Sequence, residues 1–276
     1  MTTVAALLSE SPPVDAALLL AHVLQRNRAW LAAHADEEAS QEEAARFRAL
    51  CARRREGVPI AYLLGTAGFY GREFFVNEDV LVPRPETEHL IDAALAFIKG
   101  PMRVLDVGTG SGAIACTIAA ETQAIVDATD ASNAALDVAR ENSHRLGLSD
   151  RCRFYHGDLV APVQTNRYDV IVANLPYIPT RDVPKPPDPV SFEPRLATDG
   201  GPDGLSLYRR LIPSLPEVIN EGGLVLLEAA PPTITELASM LRSTFPNFTI
   251  SVEKDYAGLD RYVKAFGQSS SGLRAG

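Results

Sequence analysis

The sequence predicts an α/β fold: a mostly parallel β-sheet covered by helices on both faces, preceded by a small helical domain. Three observations predict it. From Met102 onward, short apolar strands alternate with helical stretches, the pattern of repeated βα units. A glycine-rich turn, Gly108-Thr109-Gly110-Ser111-Gly112, leaves the first of these strands and opens a helix. The first 65 residues carry apolar side chains three or four apart, the spacing of one helical face.

The composition bounds the rest. A chain of 276 residues suggests one large domain or two unequal ones, and 46% hydrophobic with 22% charged residues is ordinary globular usage. The net charge of -9 argues against nonspecific binding along nucleic acid, though it leaves room for a local basic patch. Cys51, Cys116 and Cys152 are distant in sequence and form no metal-ligand pair, which points to a reducing compartment without disulfides. His22, His34, His89, His144 and His156 are scattered, so no metal site is expected. The N-terminus lacks a basic stretch, and no apolar run approaches the roughly 20 residues that span a bilayer. A cytoplasmic protein is expected.

The elements follow in order. Residues 1–66 read as helices. One starts at Pro12 and Pro13, with Val14, Ala17, Leu18, Ala21 and Leu24 as its apolar face. Another covers 38–55 and is broken by Gly57 and Pro59. Arg53, Arg54 and Arg55 end it, either as a solvated helix terminus or as a surface for a partner. Residues 67–85 read as a hairpin linker. Phe69-Tyr70-Gly71, Phe74-Phe75-Val76 and Val80-Leu81-Val82 suit strands, and Pro83 and Pro85 end the segment. A helix is expected over 86–98, opening a domain that runs to 267. Within it, strands are expected at 103–107, 124–129, 153–156, 169–173, 223–228, 248–254 and 261–266. Helices are expected at 111–120, 132–146, 205–219 and 234–245, and residues 268–276 read as a flexible tail. Residues 178–204 hold seven prolines and three glycines, which blocks any long helix or central strand. A loop of that length after a central strand lies where ligands gather in open α/β sheets.

The strand ends carry the candidate chemistry. Glycines permit a tight turn and close approach of backbone to a ligand. No Lys-Ser or Lys-Thr follows them, which argues against a phosphate-cradling loop. Asp130 ends the second strand, 18 residues beyond Gly112, where a carboxylate can accept hydrogen bonds from both ribose hydroxyls. That suits a nicotinamide dinucleotide or a nucleoside cofactor such as S-adenosylmethionine; Asp130 or Ser132 could equally cap the next helix. Asp158 ends the third strand region and can accept from an adenine amino group, with Leu159 beside the ring, or simply serve a turn after Gly157. Asp106, inside the first strand, needs partners, and the N–H groups of the glycine turn or a cofactor ammonium can supply them. Asp127 has no evident role.

Asn174-Leu175-Pro176-Tyr177 follows the apolar strand Val170–Ala173. The Asn174 carbonyl and the Leu175 backbone carbonyl can accept the two protons of a planar NH2 group, and Tyr177 can wall the pocket. The bland alternative is an asparagine-initiated turn fixed by Pro176.

These motifs resemble a known group. VLDVGTGSG at 104–112, ATD at 128–130, GDL at 157–159 and NLPY at 174–177 resemble the class I methyltransferases that use S-adenosylmethionine. That implies a Rossmann-like, seven-stranded, mostly parallel sheet. FYG at 69–71, VLVPRPETEHL at 80–90 and FEPRLATDGGPDGLSLYRRLI at 192–212 resemble the glutamine-N5 methyltransferases of peptide chain release factors, a likeness spanning residues 1–267. It implies that the glycine turn contacts the methionine part of the cofactor, Asp130 the ribose and Leu159 the adenine. It further implies that Asn174 sits where cofactor and substrate meet, and that the tetrapeptide with Phe69 holds the glutamine of a Gly-Gly-Gln loop. Arg84 and Glu88 then have mainly structural roles, the N-terminal domain recognises the release factor, and the enzyme is expected to be a monomer.

The chain departs from that family twice. Leu175 replaces the usual proline, which removes a fixed φ and adds an N–H; a proline restored there should be accepted unless that N–H is bonded. The Asn-Leu-Pro-Tyr form also resembles the adenine-N6 methyltransferases of ribosomal RNA, the alternative reading, but those generally carry their small domain after the catalytic one and tend to be basic. Glu228 is followed by Ala229-Ala230-Pro231-Pro232, where the family usually has a glycine and a downstream glutamine.

Overall fold

Polar residues at the helix starts organise the N-terminal region. A computed structural model describes residues 2–10 and 13–267. Pro12 and the expected tail at 268–276 lie outside the described residues. The chain forms two compact units: Met1–Thr66 with Pro184–Phe192, and Ala67–Val183 with Glu193–Gly276.

In the first unit, β1 (Thr2–Thr3) leads into α1 (Val4–Leu8), α2 (Pro13–Leu24) and α3 (Arg28–Ala33). Then come β2 (Glu38–Ala39), α4 (Gln41–Arg55) and α5 (Ile60–Leu64). The expected helix over 38–55 starts later, because Ser40 and Glu43 form a reciprocal capping box and residues 38–39 pair with 2–3 instead. α2 is apolar on nearly every side, so spacing alone misjudges its face. It buries Ala16, Leu19, Leu20 and Val23, while Ala17, Leu18, Ala21 and Leu24 stay half-buried. These residues join Leu7, Phe47 and Leu63 in one core. Two arginines of α4 are tied down inside this unit: Arg54 pairs with Asp15 at 2.9 Å, and Arg48 pairs with Glu10 at 2.9 Å.

A hairpin of β3 (Thr66–Phe69) and β4 (Arg72–Phe75) opens the second unit. Its two turn residues are Tyr70 and Gly71, and Tyr70 adopts φ +48°, unusual for a bulky residue. The Tyr70 N–H donates to Glu88 Oε1 at 2.7 Å, and its hydroxyl donates to Asp92 at 2.8 Å. Both acceptors lie on α6 (Glu88–Phe97), which follows a single 3₁₀ turn at Pro85–Thr87. Val80-Leu81-Val82 is not a strand. Val80 is buried, and the Val82 N–H reaches the Glu193 carboxylate at 3.3 Å rather than a neighbouring strand.

The main sheet follows: β5 (Arg103–Val107), α7 (Ala113–Glu121), β6 (Ile125–Asp130), α8 (Asn133–Arg145), β7 (Cys152–His156) and β8 (Tyr168–Ala173). The proline-rich stretch then forms two 3₁₀ turns and α9 (Arg195–Thr198). The helix expected over 205–219 is split by Pro213 and Pro216 into α10 (Ser206–Leu211), a 3₁₀ turn and α11 (Leu215–Val218). β9 (Ile219–Glu228), α12 (Ile234–Thr244), β10 (Phe248–Lys254) and β11 (Asp260–Gly267) complete the fold. Strand order is β10-β11-β9-β8-β5-β6-β7, and only β11 runs antiparallel to its neighbours.

Side-chain alternation splits the apolar residues between the two faces of the sheet. Leu105, Val107, Ile171, Ala173, Val225 and Leu227 enter one core; Val104, Val126, Val170, Val172, Leu224 and Leu226 enter the other. Burial on both faces explains the continuous apolar runs of β8 and β9.

Because Glu88 holds the N–H of a positive-φ residue, Glu88→Ala should destabilise the protein by about 1–3 kcal/mol, with Glu88→Gln costing less. Urea unfolding of the two variants checks this; equal stability of Glu88→Ala and wild type would contradict it.

Candidate active site

Strand order reverses at β5, which has β6 on one side and β8 on the other. The loops leaving these strands therefore diverge and open a crevice at the C-terminal edge of the sheet. A cavity of about 340 Å³ occupies it, lined by residues of the second unit alone. Gly108, Thr109, Gly110 and Ser111 line it after β5, Asp130 and Ser132 after β6, Asp158 and Leu159 after β7, and Asn174 and Pro176 after β8. Phe69 and Arg84 also line it, as do Pro194, Leu196 and Ala197 of the proline-rich stretch.

The glycine turn commits most of its N–H groups to protein acceptors. Those of Gly108 and Thr109 donate to the Thr129 carbonyl at 2.9 and 3.0 Å, and Gly110 donates to Asp130 Oδ2 at 2.9 Å. A phosphate cradle needs such groups free. The other Asp130 oxygen accepts the Ser132 N–H at 2.9 Å, while Ser132 itself caps α8 through the Ala135 N–H. Burial pushes the Asp130 carboxyl upward, and the N–H groups of Ser132, Gly110 and Ala131 pull it back.

Asp106 is fully buried beneath the turn. Its partners are not the glycine N–H groups but the Thr109 hydroxyl at 2.6 Å and the Ala115 N–H at 3.2 Å, because the carboxylate points under the start of α7. Its Oδ1 is buried without a hydrogen bond, and burial raises its pKa to about 7. Cys116 and Cys152, distant in sequence, are buried neighbours there as free thiols. Asp158 does not stand free for an adenine: its exposed carboxylate pairs with Arg210. Leu159 adopts φ +49° and lines the cavity, a strained position of the kind that concentrates at functional sites. Asp127 binds Arg103 and the Tyr168 hydroxyl, both at 2.8 Å, away from the crevice, which makes it a structural ion.

The tetrapeptide divides its labour. Asn174 donates from Nδ2 to the Thr87 hydroxyl at 2.9 Å, so its Oδ1 is the end left for a ligand. Leu175 is core, not wall: a Cβ on Gly108, which has φ +76°, would lie 2.7 Å from Leu175 Cδ2. The Leu175 N–H donates to the Tyr208 hydroxyl at 3.1 Å, and that hydroxyl donates to the Glu228 carbonyl. Tyr177 does not line the cavity; its hydroxyl donates to Glu228 Oε1 at 3.3 Å. Phe69 is buried edge-on against Phe74, and Arg84 pairs with the buried Glu193.

Sequence reasoning passed over Thr87, Tyr208, Glu228 and Asn142. Asn142 accepts the Phe75 N–H at 2.7 Å and donates to the carbonyls of Phe75 and Ser111, both at 2.9 Å, tying the hairpin to the glycine turn. A lone asparagine in an amphipathic helix gives no local sign of that work. Thr87 and Glu228 sit inside stretches quoted for other reasons.

The charge inventory selects the ligand. Of the cavity's cations, Arg84 and Arg210 are both paired with carboxylates. What remains is apolar surface from residues such as Ile114, Ala135 and Leu159, together with the carboxylates of Glu78, Asp79 and Asp130 and neutral polar groups. Such a lining suits an uncharged nucleoside with a cationic tail. Among the described residues no group of three or more His, Cys, Asp and Glu side chains could hold a metal, and no helix is long and apolar enough to cross a membrane.

The sheet order and the strand-end carboxylates are those of a Rossmann-like nucleoside-cofactor fold, and the sequence relatives make it a class I S-adenosylmethionine-dependent methyltransferase. The PrmC N-terminal domain family matches residues 3–65, and the methyltransferase small domain family matches residues 89–184. A release factor glutamine methyltransferase from Bacillus anthracis is 40% identical over 258 residues, covering 90% of each chain. One from Neisseria gonorrhoeae is 41% identical over 259 residues, covering 92% of this chain and 93% of its own. The chain belongs to the release factor glutamine methyltransferase family. Among solved structures, a methyltransferase from Pyrococcus furiosus superposes with a TM-score of 0.55 at 20% identity, covering 83% of this chain and all of that one, a likeness of fold.

Two outcomes follow from the geometry. Leu175→Pro removes a buried N–H···O bond and core contacts, so it should destabilise by about 1–3 kcal/mol, and Tyr208→Phe should cost less in that background than in wild type. A double-mutant cycle by urea unfolding checks it; additive effects would contradict the coupling. Asp106 has a pKa raised by burial, so the folded state holds a proton that the unfolded state has lost between about pH 4 and pH 7. Its contribution is full below that window and is lost as pH rises through it. Asp106→Asn should flatten the decline in stability across that window relative to wild type, as read by unfolding at each pH; an unchanged slope would contradict it.

Proposed function

We propose that the protein transfers a methyl group from S-adenosylmethionine to the side-chain amide nitrogen of the glutamine in the Gly-Gly-Gln loop of peptide chain release factors. The observation that carries this reading is Asn174, anchored through its NH2 to Thr87 so that a carbonyl oxygen remains at the cavity. An acceptor there, with the Leu175 carbonyl beside it, matches the two protons of a primary amide. The names of the relatives support a glutamine acceptor over the alternative of ribosomal RNA adenine.

The cofactor supplies a sulfonium-bound methyl; its transfer forms an N–C bond, breaks the C–S bond to leave a neutral thioether, and releases one amide proton to solvent. The residues perform the rest. An amide nitrogen is a weak nucleophile, so alignment dominates, with reacting atoms held about 3–3.5 Å apart. Asn174 Oδ1 and the Leu175 carbonyl would hold the two amide protons and stabilise positive charge developing on nitrogen. Tyr208 fixes the Leu175 peptide from behind. Asp130 would take the ribose hydroxyls, Gly108–Gly112 the methionine portion and Leu159 the adenine face. Phe69, which lines the cavity, would contact the glutamine, and Leu196, 60% exposed, would offer an apolar lip to an entering loop. Glycines beside the target glutamine would let it extend into this cleft without a neighbouring side chain in the way. Residues 1–66 would then serve substrate recognition, 67–85 as linker and 86–267 as the catalytic domain, working as a monomer in the cytoplasm, where release factors act.

The experiment is transfer of labelled methyl to full-length release factor, with small-subunit ribosomal RNA in parallel and the product located by mass spectrometry. Label on the loop glutamine, lost when that glutamine becomes alanine, is the expected result; label on RNA adenine alone would overturn the reading. Asn174→Ala should keep cofactor affinity but lose about 3–4 kcal/mol of transition-state stabilisation, read as kcat.

A further inference from the structure

A cleft that admits one glutamine side chain does not by itself select one protein. Specific protein pairs bury at least about 1,000 Å² between them, far more than a single inserted side chain provides. A protein substrate therefore needs further surface on the enzyme, and that surface must lie on the edge where the cavity opens.

Among the described residues, three large hydrophobic side chains stand exposed: Leu196, Tyr256 and Leu259, at 60%, 85% and 50%. Leu196 lines the cavity. Tyr256 and Leu259 belong to the turn joining β10 to β11. β10 runs parallel to the central strands and β11 against them, which puts this turn at the C-terminal edge of the sheet. Tyr262, near the start of β11, pairs with Glu228 at the end of β9, and β11 lies two strand spacings, about 10 Å, from β8. All three exposed residues thus fall on the cavity's edge of the sheet.

The turn is firmly built. The buried Asp255 accepts the N–H groups of Ala257 and Leu259 on Oδ1, at 3.0 and 2.9 Å. Its Oδ2 takes Arg261 through Nε and Nη2, at 3.1 and 3.0 Å. Tyr256 is held on α6: its N–H donates to His89 Nε2 at 3.1 Å, its hydroxyl donates to Asp92 at 3.2 Å, and its ring lies 3.9 Å from that of His89. These bonds fix the ring while leaving most of it in water, where its apolar surface gains nothing within the fold. A tyrosine so fixed has already lost the rotamer freedom that binding otherwise costs, and a covered aromatic buries on the order of 150–250 Å². The two cations flanking the turn, Lys254 and Arg261, are both paired with carboxylates, which leaves little to attract a phosphate backbone. The occupant that suits the patch is a protein. Building on the methyl-transfer reading, we propose that the β10–β11 turn, through Tyr256 and Leu259, is a docking surface for the body of the release factor, outside the loop that enters the cavity.

Methyl transfer to full-length release factor is measured for wild type, Tyr256→Ala, Tyr256→Phe and a double variant carrying Tyr256→Ala and Leu259→Ala. S-adenosylmethionine affinity by calorimetry, the unfolding midpoint and sedimentation accompany each. The double variant should raise KM for release factor on the order of tenfold, with kcat at saturation, cofactor affinity and midpoint unchanged. Tyr256→Ala should fall between, and Tyr256→Phe, which keeps the ring, should stay close to wild type. Release factor binding to enzyme saturated with S-adenosylhomocysteine, read by calorimetry, should weaken by the same factor, and this holds without turnover. Unchanged KM and affinity in the double variant would overturn the proposal, as would a loss confined to kcat, or a wild-type dimer that the double variant dissolves with KM unchanged. A loss in Tyr256→Phe equal to that in Tyr256→Ala would assign the effect to the Asp92 bond and overturn it too. Each of these outcomes leaves the methyl-transfer reading intact. A release factor that binds wild type but keeps its glutamine unlabelled would sink that reading instead.

Discussion

The reversal of strand order at β5 is the constraint from which the site follows. Loops that leave β5 and β8 in opposite directions cannot satisfy each other's backbone groups, so the polar atoms at this edge need other partners. Asp130 supplies them for the turn after β5 and the start of α8, Asp106 for the start of α7, and Tyr208 for the loop after β8. Each is a side chain doing for a loop what a strand neighbour does inside the sheet. The crevice stays open because these links brace its walls instead of crossing it.

The same links set the chemistry. A turn with most of its N–H groups already bonded has little attraction for phosphate, and arginines paired with Glu193 and Asp158 add little more. Carboxylates set in apolar surroundings favour a cationic ligand and resist ionisation when it is absent. Asp106 and Glu228, both buried with an orphan oxygen, are destabilising on their own account. Their place at the ends of the two strands flanking β8 on either side puts that cost where ligand and substrate would offset it.

Much of this was legible in the sequence. Continuous apolar runs marked β8 and β9, and the glycine turn and Asp130 fell where a strand-turn-helix pattern put them. Misreadings arose where tertiary partners overrode local pattern. Val80–Val82 looks like a strand but is held by the Glu193 carboxylate, 111 residues away. The face of α2 was ambiguous because the helix is apolar nearly all round. Within the tetrapeptide, residue type suggested that Asn174 and the Leu175 carbonyl meet the ligand and that Tyr177 walls the pocket. The structure sends Leu175 into the core and the Tyr177 hydroxyl to Glu228, leaving Asn174 and Pro176 at the cavity. Thr87 is 87 residues from Asn174, and no local spacing reports such a contact.

The central claim is that Asn174 Oδ1 and the Leu175 carbonyl receive the protons of a glutamine amide. A crystal structure of the protein with S-adenosylhomocysteine and a release factor tests it most directly. The account predicts the loop glutamine in the cavity, its amide nitrogen within hydrogen-bonding distance of both oxygens and Asn174 Nδ2 still on Thr87. A glutamine bound elsewhere, or an Asn174 amide turned with its NH2 toward the cavity, would contradict it.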